Sequence, residues 1–434
     1  MEKWQQFSLI LSSFGFLKEF RPSEPFVYPF LIGPCYNITI AQAQDVLSIG
    51  TYSYMAQLVV VFLITDYFRY KPLIIVAGLA GTLVWIMFVW SSSLRALQLL
   101  EVFYGTYMAA DIAYWTYIYA KVDRKHYQKV TSHIRSATQA GRFLTLTLSK
   151  ILIYYEVTDY LGLNYISLGA QLATTIWAFL LPHVHRKEQD TEEKLDLDPI
   201  QKITPSSTCS RTSSHLWFHF KSAYTSFTVI RYSIWYSLAV CLYYQITTYV
   251  PALWNRIGGR DATLWNGAVE AILTLIGSLV ALLAGFVSPS WLQMNTTLLG
   301  LAAIAVLEGL GLLVATVTSN IMVSYVGFSV LVIMHAFAIT LVSSEIAKHV
   351  PDASFALVFG ISTLVGLVSR TLLNLAVADI DGWFALDIRE QFTVYGFGLL
   401  GVGVLFAIFL LVELGRRKCY RLQSLLQLNK DGVA

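Results

Sequence analysis

Two carboxylates and a run of aromatic rings lie inside one stretch long enough to cross a bilayer, residues 101–121, EVFYGTYMAADIAYWTYIYAK. About 20 helical residues at 1.5 Å rise span roughly 30 Å of hydrocarbon. On a single helix Glu101, Tyr104, Met108 and Asp111 fall at i, i+3, i+7 and i+10 and share a face. Asp111 precedes Lys121 by ten residues, about 15 Å along the axis, which puts it near the midplane. A carboxylate at that depth costs about 2.5–3.5 kcal/mol, so it is expected to face a polar cavity or a basic partner. The chemistry open to such a face is recognition of charge. Carboxylates beside rings suit a planar organic cation, with Tyr104 and Tyr114 the rings expected to stack on it.

Other charges fall within apolar stretches. Glu24 sits in the break Arg21-Pro22-Ser23-Glu24-Pro25, as a binding or gating group or as a wetted loop carboxylate. Arg142 and Arg370 either contact the ligand or neutralise Asp111 or Glu24. Glu270, one turn into its span after Asn266-Gly267, touches the ligand or faces an aqueous vestibule. Asp66 and Arg69, in a short charged turn, read as a structural clamp on an inner gate, and Glu101, near its span end, is grouped with them. His335 is a satisfied core histidine or a proton relay. No GxxxxGK[ST], HExxH or GxSxG pattern and no Cys/His metal spacing occurs, so neither an ATP-driven pump, an enzyme nor a metal or other cofactor is indicated. No basic tract with interleaved aromatics suggests nucleic acid.

The elements that must hold these groups are apolar helices. The chain has 434 residues, 56% hydrophobic and 13% charged, against about 25% charged in soluble domains; mean hydropathy is +0.58. Four cysteines are too few and scattered for a disulfide framework. Spans are predicted at about 6–32, broken at the two prolines, then 46–64, 73–90, 97–120, 134–155 and 165–181. Polar sequence follows, and further spans fall at 226–250, 265–287, 297–317, 321–342, 355–378 and 392–414. The fold class is therefore all-α, a polytopic membrane protein of twelve transmembrane helices. Its domains are a six-helix bundle at 1–182, a cytosolic linker at 183–222 and a second six-helix bundle with a cytosolic tail at 223–434. The N-terminus reads as a retained first span rather than a signal peptide. Arg69/Lys71, the run from Lys121 to Arg135, the linker and Arg416-Arg417-Lys418 concentrate positive charge on one side, which makes both termini cytosolic. The sequon at Asn37 then lies outside and is a glycosylation candidate, whereas that at Asn295 lies inside and should be silent. A chain of two six-helix halves with intramembrane charge is the usual form of a secondary transporter, with its site near the midplane between the halves.

Several motifs together resemble the reduced folate carrier and thiamine transporter family: Arg21-Pro22-Ser23-Glu24-Pro25-Phe26, Thr51-Tyr52-Ser53-Tyr54, Thr65-Asp66-Tyr67-Phe68-Arg69-Tyr70-Lys71-Pro72, Glu101-Val102-Phe103-Tyr104, His126-Tyr127-Gln128-Lys129-Val130, Asn266-Gly267-Ala268-Val269-Glu270-Ala271 and Ala356-Leu357-Val358-Phe359-Gly360. The resemblance implies a major-facilitator-type fold, a plasma-membrane location and uptake of a B vitamin, with folate moved as an anion in exchange for other anions and thiamine as a cation. Glu24 matches the first-helix acid of both branches. Where the folate branch has arginines, this chain has Asp111 and Val332; its helix-eleven Lys aligns with Arg370. The thiamine branch has a Glu at the Asp111 position, a Glu matching Glu270 and an aromatic matching Tyr114. Its helix-five Tyr and helix-seven Asn align with Arg142 and Thr248.

The expected function is secondary transport of a B vitamin by alternating access, leaning to a thiamine-like cation. Glu24, Asp111 and Glu270 bind, Tyr104 and Tyr114 stack beside Met108, and Arg142 and Arg370 bind anion or balance charge. Reduced folate transport and a member that binds without transporting are the alternatives. Expected partners are the vitamin, the lipid bilayer and a coupling proton or counter-anion.

Overall fold

The computed structural model describes residues 2–33, 36, 38–91, 93–182, 220–221, 223–259, 263–288, 293–351, 354–378, 383–384 and 386–431. Asn37 and nearly all of the 183–222 segment lie outside them. The described chain is helical. The helices are α1 (Lys3–Glu19), α2 (Val27–Ile32), α3 (Ile40–Phe68), α4 (Lys71–Trp90), α5 (Leu94–Ala109), α6 (Asp111–Tyr117), α7 (Tyr127–Tyr154), α8 (Tyr160–Leu180), α9 (Phe227–Gly258), α10 (Thr263–Ala284), α11 (Met294–Val317), α12 (Ile321–His349), α13 (Phe355–Val377) and α14 (Ile388–Asp431). Seven of them are long and apolar enough to cross a membrane. Large apolar side chains such as Leu79, Leu283, Val326 and Leu411 lie exposed along them, as lipid-facing residues do.

Contacts divide the chain into two compact units. One comprises residues 1–237 and 342–367, the other 238–341 and 368–434. In the first, α1 packs on α7 and α8, and α5 packs on α3 and α4. Trp85, Phe88, Phe30, Leu31, Leu97 and Leu100 form a buried cluster there. In the second, α11 packs along α14, closely enough that a side chain on Gly309 would meet the Gly396 carbonyl.

Two interruptions of helical geometry position the polar side chains of the first unit. The predicted break after α1 is present, and its exposed backbone groups are satisfied by side chains from elsewhere. The N–H of Arg21 donates to Thr145 Oγ1 (2.9 Å), and Thr145 in turn donates to the Glu19 carbonyl (2.8 Å). The N–H of Ser23 donates to Ser167 Oγ (3.0 Å), and Trp85 Nε1 donates to Ser23 Oγ (2.7 Å). Non-helical backbone at membrane depth persists only where protein partners supply such bonds. The second interruption divides the single span expected at 97–120. The helix tightens at Ala110 (φ −68, ψ −9), which separates α5 from α6 and leaves Asp111 in the first turn of α6.

Helix α1 approaches α7 most closely at Gly141. A Cβ there would lie 3.1 Å from the Phe16 carbonyl carbon, a backbone atom that cannot swing aside. Gly141→Ala should therefore lower stability by about 1–3 kcal/mol, the usual range for overpacking. Thermal unfolding of the purified protein in detergent measures this, and an unchanged midpoint would show that α1 can back away.

Candidate functional site

The first unit holds a compact cluster of charges built by α1, the break behind it, α5 and α6. Lys18 lies in the last turn of α1, 3% exposed, and forms an ion pair with Asp111. Both helix ends favour the charge they carry: a cation at the carbonyl end of α1 and an anion at the N–H end of α6. Arg21, 5% exposed, pairs with Glu19 at 3.1 Å and, through Nε, with Glu24 at 3.0 Å. The ring of Tyr107 lies 4.9 Å from Lys18 Nζ and 5.4 Å from Arg21 Cζ, so one buried ring serves two cations. Its hydroxyl donates to the Lys18 carbonyl at 3.3 Å, as does Gln171 Nε2 at 3.2 Å.

Charge balance follows from these pairings. Asp111 answers Lys18, and Glu19 and Glu24 answer Arg21. Arg142, exposed on α7, acts electrostatically on Glu19. Of the paired carboxylates Glu24 is the most open, with 38% of its side chain exposed against 19% for Asp111 and for Glu19. Tyr104 donates its hydroxyl to Glu24 Oε1 at 3.3 Å. Glu24 and Tyr104 thus form the outward corner of an otherwise internally paired cluster.

The predicted residues separate into three groups. Glu24, Tyr104 and Asp111 come together around Lys18 and Arg21, with Arg142 acting on Glu19, while Met108 is half-buried on the intervening turn of α5. Tyr114 has a packing role: it is 2% exposed, tilts against Phe14 at 5.1 Å and donates to the Leu11 carbonyl at 3.0 Å. Its ring is closed to a stacking ligand. Glu101, 5% exposed, lies against Gly50 of α3, where any side chain at position 50 would strike its carboxylate. In the second unit Arg370 donates to Thr248 Oγ1 at 2.9 Å and lies 5.9 Å from the Tyr244 ring. Nearby, Gln245 donates to Asn374 and Tyr395, and Tyr249 donates to Asn374 at 2.6 Å. Glu270 is half-buried on α10, and His335 stacks on Tyr243 with centroids 3.8 Å apart.

Residue types and spacing alone do not single out Lys18, Glu19 and Tyr107. Lys18 and Glu19 precede the proline break and read as an ordinary charged helix end. Their one signal is that both fall within the first predicted span.

A second polar group in the first unit clasps helix ends. The Asp66 carboxylate accepts the Ala356 N–H (3.3 Å) and Leu357 N–H (3.1 Å) in the first turn of α13, and the Tyr70 hydroxyl at 2.6 Å. Burial and the Asp66 charge hold the Tyr70 phenol well above its ordinary value, so it stays a donor. Arg124 donates to the Lys348 and Val350 carbonyls at the end of α12 (3.2 and 3.3 Å). An anion thus meets a helix N-terminus and a cation a C-terminus. Arg69 and Tyr70 both adopt φ +64 to turn α3 sharply into α4.

Comparison with known proteins adds the family. Residues 2–394 match the profile of the reduced folate carrier family. The chain belongs to that family. It is 32% identical over 426 residues to folate transporter 1 of Caenorhabditis elegans, covering 95% of this chain and 93% of that one. It is also 32% identical over 470 residues to human thiamine transporter 1, covering 98% and 93%. Among solved structures it resembles the human organic anion transporter MFSD10 (TM-score 0.66, 12% identity, 94% of this chain and 100% of that one). It likewise resembles the proton:xylose symporter XylE (TM-score 0.68, 12% identity, 94% and 96%). The fold is that of the major facilitator superfamily, as the motif resemblance implied, and a member of this carrier family is a multi-pass membrane protein and not an enzyme.

The Lys18–Asp111 pair makes a sharp prediction. Removing one partner of a buried pair leaves the other uncompensated, at about 3–5 kcal/mol. Asp111→Asn should lose roughly 3 kcal/mol, near the lower end because Asp111 keeps some exposure. Lys18→Met combined with Asp111→Leu should regain most of that loss, read as thermal midpoints of the purified variants. Additive losses in the double variant would show that the two side chains act separately.

Proposed function

We propose that this protein is a secondary transporter of a B vitamin of the folate and thiamine class, working by alternating access, and that its ligand is a thiamine-like organic cation. The observation that carries the charge preference is the outward corner of the cluster. Both buried cations, Lys18 and Arg21, already have carboxylate partners, whereas Glu24 is the partnered acid most open to solvent and has the Tyr104 hydroxyl beside it. A ligand approaching that corner meets negative charge and an aromatic edge first. A unit charge 4 Å from Glu24 gains about 4 kcal/mol at an effective dielectric of 20, enough to set selectivity.

Family membership supports the transport class, because relatives of both substrate types are 32% identical to this chain along nearly its whole length. The site residues proposed in the first unit are Glu24, Tyr104, Met108 and Asp111, with Arg142 as charge balance; Glu270 and Arg370 are proposed as ligand-binding residues of the second unit. Asp111 acts through Lys18, whose charge it holds in place. Asp66 and Arg69 are proposed as part of the inner gate, and Glu101, which lies against Gly50 farther up α3, as a separate gating or structural residue. The distribution of Lys and Arg favours cytosolic termini and an external Asn37, plasma-membrane residence is proposed from the family resemblance, and the division into 1–182 and 223–434 remains our reading of the two bundles. A coupling proton or counter-anion completes the scheme. A second reading, reduced folate as substrate, is favoured by the exposed Arg142 and by the folate transporter among the relatives.

Radiolabelled thiamine and 5-methyltetrahydrofolate uptake, in cells with matched surface expression, tests this. Wild type should take up thiamine saturably, and Glu24→Gln should reduce that uptake at least about tenfold, equivalent to about 1.4 kcal/mol. Folate uptake without thiamine uptake would reverse the charge assignment, and uptake of neither would remove the vitamin from the proposal.

A further inference from the structure

A small cavity of about 20 Å³ lies in the first unit, apart from the charge cluster, lined by α6, α7 and residues of α9, α12 and α13. Arg135 of α7 is the one cation among its lining residues. The others are Ile112, Trp115, Ile118, Tyr119, Thr131, Ile134, Tyr236, Ser343 and Phe359, without a carboxylate among them. Arg135 lies over the Trp115 ring at 5.0 Å and donates one terminal nitrogen to Ser343 Oγ at 2.9 Å. Its Nε is buried and makes no hydrogen bond. A guanidinium carries five N–H donors in a planar fork suited to anions. Here one donor is buried unused and no acid in the cavity wall answers the group.

We propose that this cavity binds a small anion, a halide or inorganic phosphate, held by the Arg135 guanidinium. The walls argue against a vitamin. Tyr119 stacks on Phe359 (5.8 Å, 12°), Tyr236 meets Phe359 edge-on, and Arg135 covers Trp115. Those ring faces are already occupied, so a heterocycle has little to stack on. What the cavity offers is a cationic corner beside hydroxyls: Ser343 Oγ on the guanidinium itself, and Thr131 with Tyr119, which are 2.9 Å apart and share one hydrogen bond. The Thr131–Tyr119 pair keeps one hydroxyl proton beyond the one it shares, and Arg135 brings charge in a site with low dielectric, the conditions under which a charge-assisted hydrogen bond is strongest. The bound anion joins α7 to Ser343 of α12. It therefore stabilises the same packing of residues 342–367 that Asp66 and Arg124 clasp.

The test needs no vitamin, so its failure is distinct from failure of the transport reading. The purified full-length protein is melted in gluconate salt, with chloride substituted at constant ionic strength, and in a parallel series with phosphate. A ligand of the folded state raises the midpoint along a saturating curve. The expected result is such a rise in at least one series, weakened in Arg135→Lys and absent in Arg135→Gln. A rise in chloride alone identifies a halide site, and one in phosphate alone an oxyanion site. No rise in either, or an equal rise in Arg135→Gln, overturns the proposal. Should Arg135→Gln fail to fold, bromide quenching decides with Trp115. Saturable quenching present in wild type and lost in Trp115→Phe supports the site, and identical quenching in both overturns it.

Discussion

Lys18 is 3% exposed at the end of α1, and a lysine that deep depends on Asp111 lying against it. Much of the first unit follows from the need to keep those two groups together. The chain leaves helical geometry straight after Lys18 and Glu19, so the last carbonyls of α1 need other donors, and Tyr107 and Gln171 supply two of them at Lys18. Helix α5 tightens at Ala110, which gives Asp111 the first turn of a new helix. Arg21 closes the cluster from within the break, where Thr145, Ser167 and Trp85 take over the backbone and side-chain bonding that a continuous helix would have kept internal. An intramembrane charge is tolerable only with such a set of partners.

The same logic runs through the clasp around Asp66 and Arg124. Both use a full charge against the partial charge of a helix terminus, and neither needs an oppositely charged side chain across the contact. Each charged group sits near a helix end, Asp66 partly buried and Arg124 exposed. The cluster and the clasp therefore differ in kind. The Lys18–Asp111 pair is an ion pair between side chains, whereas the Asp66 and Arg124 contacts, in the proposed reading, belong to a gate.

Residue types and spacing make a good part of this arrangement legible. The proline break, the apolar spans and the charged turn at Asp66–Lys71 follow from elementary rules of helix chemistry and hydrophobic length. The acidic face of residues 101–111 is legible as well, and so is the possibility that Asp111 answers a basic residue. Its partner is not. Lys18 and Asp111 are 93 positions apart, and no local pattern links an ordinary lysine near a helix end to a carboxylate on another helix. Tyr114 misleads for a related reason: spacing puts it near the acids, yet its ring is turned into the α1 contact, where Gly15 leaves room for its hydroxyl. Burial of that kind depends on tertiary packing, to which helical periodicity is blind. Arg135 reads as one more basic residue of a loop run, and only the geometry separates it from its neighbours.

In the proposed reading Glu24, the most open acid of the cluster although paired with Arg21, meets a cationic ligand. Thermal stabilisation of the purified protein by thiamine, set against 5-methyltetrahydrofolate at the same large excess, decides whether it does. At about 100 times its dissociation constant a ligand stabilises the folded state by roughly 2.7 kcal/mol, a readily measured shift. The expected result is a shift with thiamine and none with the folate. A shift with the folate alone would mean that the arginines, and not Glu24, meet the ligand, and would contradict the charge preference assigned to this site.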